Sequence, residues 1–187
     1  VADSINIQGD RLTTLEVVMP RYILAELNTH RMLSKNSASS RAIPLRKMLL
    51  SVMYNPFIPY AWQEDHKGMQ GTKYLNTEYL FGLHEFLDKA KDFFYSENKE
   101  DNEKLQSIYL ALLTKPEYLS EKTLKDWWLL ARDKALEIVA VFGIFGLTKQ
   151  LANRLLEPFM YHKVLVSGTE WENFMALRCP SYEWEYE

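Results

Sequence analysis

Two stretches of this 187-residue chain hold enough polar side chains at close spacing to do chemistry. The first, residues 28–44 (NTHRMLSKNSASSRAIP), places His30, Arg31 and Ser34 at the end of a helix by their spacing. It then runs into a loop holding Asn36, Ser37, Ser39, Ser40 and Arg41. Hydroxyls, amides and two guanidiniums gathered this way offer many donors, and Arg can grip a phosphate through two parallel N–H bonds. That chemistry suits a phosphorylated, oxygen-rich ligand. The stretch has neither a Walker-type lysine nor a GxGxxG pattern, so neither a P-loop nor a Rossmann cradle is indicated. Its plainer reading is a serine-rich surface loop beside one structural histidine. The second stretch, residues 151–178 (LANRLLEPFMYHKVLVSGTEWENFMALR), carries Asn153 and Arg154 on a short helix. Asn173 and Arg178 come next, five apart and within reach of one ligand if the segment is helical. Taken alone, Arg154 and Arg178 read as surface ion-pair residues.

These side chains need elements to hold them. Residues 11–19 (RLTTLEVVM) have the β-branched pattern of a strand, and Pro20 suits the first turn of a helix over residues 21–33. Residues 34–41 read as a loop by composition. Pro44 opens a short helix that ends before Asn55-Pro56, and residues 56–71, with two prolines and two glycines, read as an ordered loop. Helices are expected over residues 76–95, 105–113 and 119–145, with wet outer faces, joined by a charged linker at 96–103. Thr148 is a plausible N-cap for a helix over residues 151–157 that Pro158 stops. Residues 163–166 (KVLV) read as a strand and residues 171–177 as a helix. The fold expected is α+β, a single domain over residues 1–187 with a helical insertion over about 76–145.

Composition narrows the function. Hydrophobic residues make up 47% of the chain, enough for a core. The net charge of −3 gives no basic field to hold a polyanion, so nucleic acid is not an expected partner. The longest apolar run, residues 135–147, is too short to span a bilayer and is broken by Glu137 and Gly143, so no membrane role is expected. Cys179 is the only cysteine, which fits a reducing cytoplasm and excludes an internal disulfide. The chain begins without Met and ends at Glu187, so further residues are expected beyond the ends.

Together and in this order, the two stretches resemble the flavin-dependent thymidylate synthases. That family's signature is Arg-His-Arg, seven residues, then Ser. Here Thr29-His30-Arg31 is followed by residues 32–38 and then Ser39, with Arg41 two places on. An Arg-x-x-x-Pro element appears as Arg154 to Pro158, and an Asn-Phe-x-x-Leu-Arg element as Asn173 to Arg178. Departures are Thr29 for the first Arg, Ser37 where Glu is common, and Ala42 where Tyr is common. The resemblance implies a mixed sheet packed with helices and a homotetramer with shared active sites. It implies FAD held by His30, Arg31, Ser34, Asn36 and Asn173, and dUMP held by Ser39, Ser40, Arg41, Arg154 and Arg178, with Ser40 giving a backbone donor. Catalysis would rest on Arg178 and Ser39. The reaction implied is reductive methylation of dUMP to dTMP, with methylene-tetrahydrofolate as carbon donor and NADPH as reductant. Two alternatives stay open: altered pyrimidine chemistry such as hydroxymethylation, and a non-catalytic nucleotide- or flavin-binding relative.

Overall fold

The computed structural model describes residues 1–68, 72–80 and 82–176. Arg178 and Cys179 lie outside the described residues. The chain divides into two compact units, Val1–Phe57 with Arg132–Glu187, and the intervening Ile58–Ala131. The second unit overlaps the helical insertion expected over about 76–145.

The first unit is built on four strands: β1 (Ala2–Ile5), β2 (Arg11–Pro20), β3 (Ser34–Ser37) and β4 (Tyr161–Gly168). Their order is β1-β2-β4-β3, and every neighbouring pair is antiparallel. The expected mixed sheet is thus corrected among the described residues. β2 and β3 point the same way, but β4 lies between them, so no parallel ladder forms. β1 joins β2 through a tight turn in which Gly9 takes a φ of 93°. There Asn6 Oδ1 accepts the Asp10 N–H at 2.8 Å. A left-handed backbone of this kind is nearly free only for glycine.

β4 shows the alternation of a half-buried strand. His162, Val164, Val166 and Gly168 are buried, while Tyr161, Lys163 and Leu165 are exposed. Val164 and Val166 join Met19, Leu24 and Leu33 in a core cluster, with Leu27, Trp171 and Phe174 packed against it. A Cβ on Gly168 would lie 2.7 Å from Leu33 Cδ2, so glycine here lets Leu33 close over the sheet.

The helices of this unit are α1 (Leu24–Asn28), α2 (Leu45–Tyr54), the second half of a long helix, α7 (Lys149–Ala152) and α8 (Trp171–Ala176). The helix expected over residues 21–33 is a 3-10 turn, Arg21–Ile23, followed by only five α-helical residues. It stops because Thr29 turns its hydroxyl back onto the Glu26 carbonyl at 2.7 Å, and the Lys35 ammonium caps the carbonyls of Leu27, Asn28 and His30. His30, Arg31 and Ser34 are therefore not helical. Ser34–Ser37, expected as loop, is an edge strand. Its pairing with β4 uses the backbone, which small polar side chains do not hinder. The helix expected over residues 151–157 is the single turn α7 followed by a 3-10 segment, Asn153–Phe159, that includes Pro158.

The second unit holds α3 (Leu83–Phe93), α4 (Lys99–Leu113), α5 (Pro116–Leu119) and the first half of α6 (Leu124–Ile144). The helix expected from residue 76 starts at Leu83. Asn98 caps α4 through the Asp101 N–H, so the expected linker is largely helix. The expected helix over residues 119–145 is interrupted at residues 120–123. There Thr123 and Asp126 bond each other's backbone N–H in a reciprocal box that starts α6.

Candidate functional site

Antiparallel register decides which segments meet. Ser34 lies opposite Ser167, and Ser37 opposite Val164. The turn before β3 therefore faces the segment that leaves β4, and the turn after β3 lies at the end of β4 where the chain arrives. Two groups of side chains result, one at each end of β3.

The first group lines a cavity of about 320 Å³ formed by Thr29, His30, Arg31, Met32, Leu33, Glu170, Asn173 and Phe174. Leu33 and Phe174 also belong to the core packing, so one wall is fixed. The half-buried His30 ring meets the Phe174 ring edge-on, with centroids 5.4 Å apart at 84°. Phe174 in turn packs edge-on against Trp171, whose Nε1 donates to the Thr13 carbonyl at 3.2 Å. His30 is thus held from two sides, by this aromatic stack and by Lys35 on its carbonyl. Arg31 and Asn173 stand exposed at the rim with Glu170. An imidazole, a guanidinium and an amide above an aromatic wall can hold a planar ligand by its polar edge.

The second group is the 3-10 turn Ser40–Ala42, with Ser39 as its N-cap. Ser39 Oγ accepts the Arg41 N–H at 3.3 Å, and both residues are exposed. Ser40 is 2% exposed, and its hydroxyl donates to Glu157 Oε1 at 2.5 Å. Asn153, wholly buried, donates through Nδ2 to the carbonyls of Ser40 at 2.8 Å and Ile43 at 2.9 Å. Lys149 takes the Ala42 carbonyl at 3.1 Å. Arg154 is exposed on the 3-10 segment that packs against this turn. Two exposed guanidiniums and a hydroxyl on adjoining elements suit a phosphate or another anion.

Behind the turn lies a buried polar cluster. Arg21 Nη2 is 3.6 Å from Glu157 Oε1, and buried His162 is close enough to feel both charges. Burial pushes the His162 pKa below its ordinary value, the Arg21 charge adds to this, and the Glu157 carboxylate opposes it. Arg21 Nε, Asn153 Oδ1 and His162 Nε2 are buried without a hydrogen-bond partner among the described residues. Each such atom costs about 1–3 kcal/mol.

The expected site residues therefore do not form one pocket. His30, Arg31 and Asn173 share the first cavity, and Ser39, Ser40 and Arg41 share the turn, with Arg154 on its neighbour. Ser40 points its side chain inward and gives its carbonyl to Asn153. Asn36 lines a separate cavity of about 240 Å³ with Glu16, Ser37 and Lys163, where Lys163 pairs with Glu16 at 2.8 Å. Ser34 lines neither cavity. Arg178 lies outside the described residues. Sequence reasoning missed Lys35, Glu157, His162 and Phe174. The only signal was position, since each sits inside or beside a segment already singled out.

No family model, no curated protein and no solved structure matches the chain. No helix among the described residues is long and apolar enough to cross a membrane.

Proposed function

We propose that the chain is a flavin-dependent thymidylate synthase, converting dUMP to dTMP. The observation that carries this reading is the cavity where His30 and Arg31, from one end of the chain, meet Asn173, from the other. These are three of the five residues that the motif resemblance assigns to FAD; Ser34 and Asn36 do not line this cavity. Support also comes from the exposed Ser39 and Arg41 beside the element bearing Arg154.

The donor set suits a flavin. His30, Arg31 and Asn173 can meet the oxygen- and nitrogen-rich edge of an isoalloxazine, while Phe174 and Met32 offer apolar contact to its ring. At about 320 Å³ the cavity is at the small end of ligand sites, roughly 300–1,000 Å³, so it takes one part of a dinucleotide. A site shared between subunits in a homotetramer would complete the cofactor's surroundings.

Bound reduced flavin would supply the hydride, with methylene-tetrahydrofolate as carbon donor and NADPH as the source of reducing power. The chain's own residues bind and orient. Arg41 and Ser39 hold the nucleotide phosphate, with Arg154 as a second cation. On the motif resemblance, Arg178 would face the uracil and stabilise negative charge as it develops there. No protein nucleophile is needed. The test is the absorbance spectrum of the purified oligomer, joined to tritium release from dUMP labelled at C5. A flavin band with tritium release is expected. A protein with no flavin band and no affinity for added FAD would overturn the reading.

A further inference from the structure

We infer that Asn153, together with the Ser40–Glu157 bond, is a positioning device that holds Ser39 and Arg41 ready for the nucleotide phosphate. The inference rests on the nucleotide-binding reading above and extends it to residues that touch no ligand.

Three carbonyls of the turn are engaged by side chains from the other end of the chain. Asn153 Nδ2 bridges those of Ser40 and Ile43, and Lys149 takes that of Ala42. The Ser40 hydroxyl is pulled inward by Glu157. Ser40 and Asn153 are 2% and 0% exposed, so neither side chain can reach a ligand. With Ser40 anchored inward, Ser39 and Arg41, the residues on either side of it, are presented to solvent. Among the described residues, Arg41 has no anchor beyond the long contacts to Ser39 Oγ.

Arg21 Nε, Asn153 Oδ1 and His162 Nε2 stay buried and unpaired among the described residues, where apolar side chains would carry no such cost. Rules of polar satisfaction are broken most often where a site needs a fixed geometry. A rigid frame places a charged group before the ligand arrives, so less ordering entropy is lost on binding.

The test measures binding of dUMP and of deoxyuridine to the intact FAD-supplied protein, well below its melting temperature. Asn153→Ala is compared with wild type and with Ser40→Ala, which removes only a hydroxyl and covers the case in which Asn153→Ala does not fold. The readout is the preference for dUMP over deoxyuridine. A role limited to stability would lower the melting temperature and leave this ratio alone. Expected is a roughly tenfold fall in the ratio for each folded variant, with FAD affinity unchanged. A folded variant that keeps the wild-type ratio overturns the positioning role while the nucleotide reading stands. A wild-type protein with no preference for dUMP overturns both.

Discussion

Removing the Arg41 guanidinium separates a phosphate contact from a structural one. Arg41 is exposed, and no carboxylate pairs with it among the described residues. Its Nε lies 3.4 Å from Ser39 Oγ, long for a hydrogen bond, and its backbone N–H already satisfies the cap. Arg41→Ala should therefore change stability by no more than about 0.5 kcal/mol, the usual range for a surface site. A charge-assisted contact to phosphate is worth about 1.5–3 kcal/mol. That corresponds to roughly 10- to 150-fold in Kd for dUMP. Deoxyuridine lacks the phosphate and should bind almost unchanged. Titration calorimetry with both ligands, at low and at physiological salt, reads this directly. The dUMP penalty should shrink as salt rises, because screening at about 0.15 M acts over some 8 Å. Equal weakening of both ligands, or no weakening with an unchanged melting temperature, would refute the phosphate role. A large loss of stability would show that Arg41 belongs to the frame instead.

Asn173→Ala should lower FAD affinity with little change in melting temperature, since the side chain is exposed on the cavity rim; fluorescence titration with FAD checks this. His162 has a depressed pKa in the folded state, so the unfolded chain binds its proton first as pH falls below 6.5. Stability should then drop with a slope of up to about 1.4 kcal/mol per pH unit until the folded pKa is reached. His162→Gln should flatten that part of a denaturation series run from pH 8 to pH 5. On the motif reading, Arg178→Ala should lose on the order of 10²-fold in turnover, and Arg178→Lys should restore stability better than activity. Stopped turnover assays beside melting curves would decide, and a folded, flavin-loaded variant with normal turnover would remove Arg178 from catalysis. Light scattering should find a tetramer, and an active monomer would contradict sites shared between subunits.

The features legible in the sequence were those that depended on local pattern. β2, the helix after Pro44, the Thr148 cap and β4 each announce themselves through alternation, proline placement or a hydroxyl at the right position. The features it hid depended on partners far along the chain. β1 is four exposed residues with no alternation, and it exists because the Asn6–Asp10 turn folds it onto β2. β3 is polar enough to pass for a loop and is a strand only because β4 offers its edge. The early end of α1 depends on Lys35, which lies beyond the helix and looks like any surface lysine. For the site, residue types at motif spacing indicated His30, Arg31, Asn173, Ser39 and Arg41. They could not show that Ser40 turns inward or that Asn36 faces a different cavity.

The geometry that joins the two halves of the site comes from β4. It is central to the sheet, pairs with β2 along its whole length, and pairs with β3 in opposite sense. The Ser34 end of β3 must then meet the end of β4 that leads to Glu170 and Asn173. The Ser37 end must meet the end that arrives from Asn153 and Glu157. Three steps of about 3.4 Å put the Ser34 and Ser37 ends of β3, beyond which the two groups lie, roughly 10 Å apart along the strand. A shift of one residue in this register would turn Leu33 away from the core it shares with Val164 and Val166, and would carry His30 off Phe174. The separation is therefore fixed by the same apolar contacts that stabilise the sheet. On the proposed reading, a ring held at one end and a phosphate held at the other would be placed relative to each other before either ligand binds.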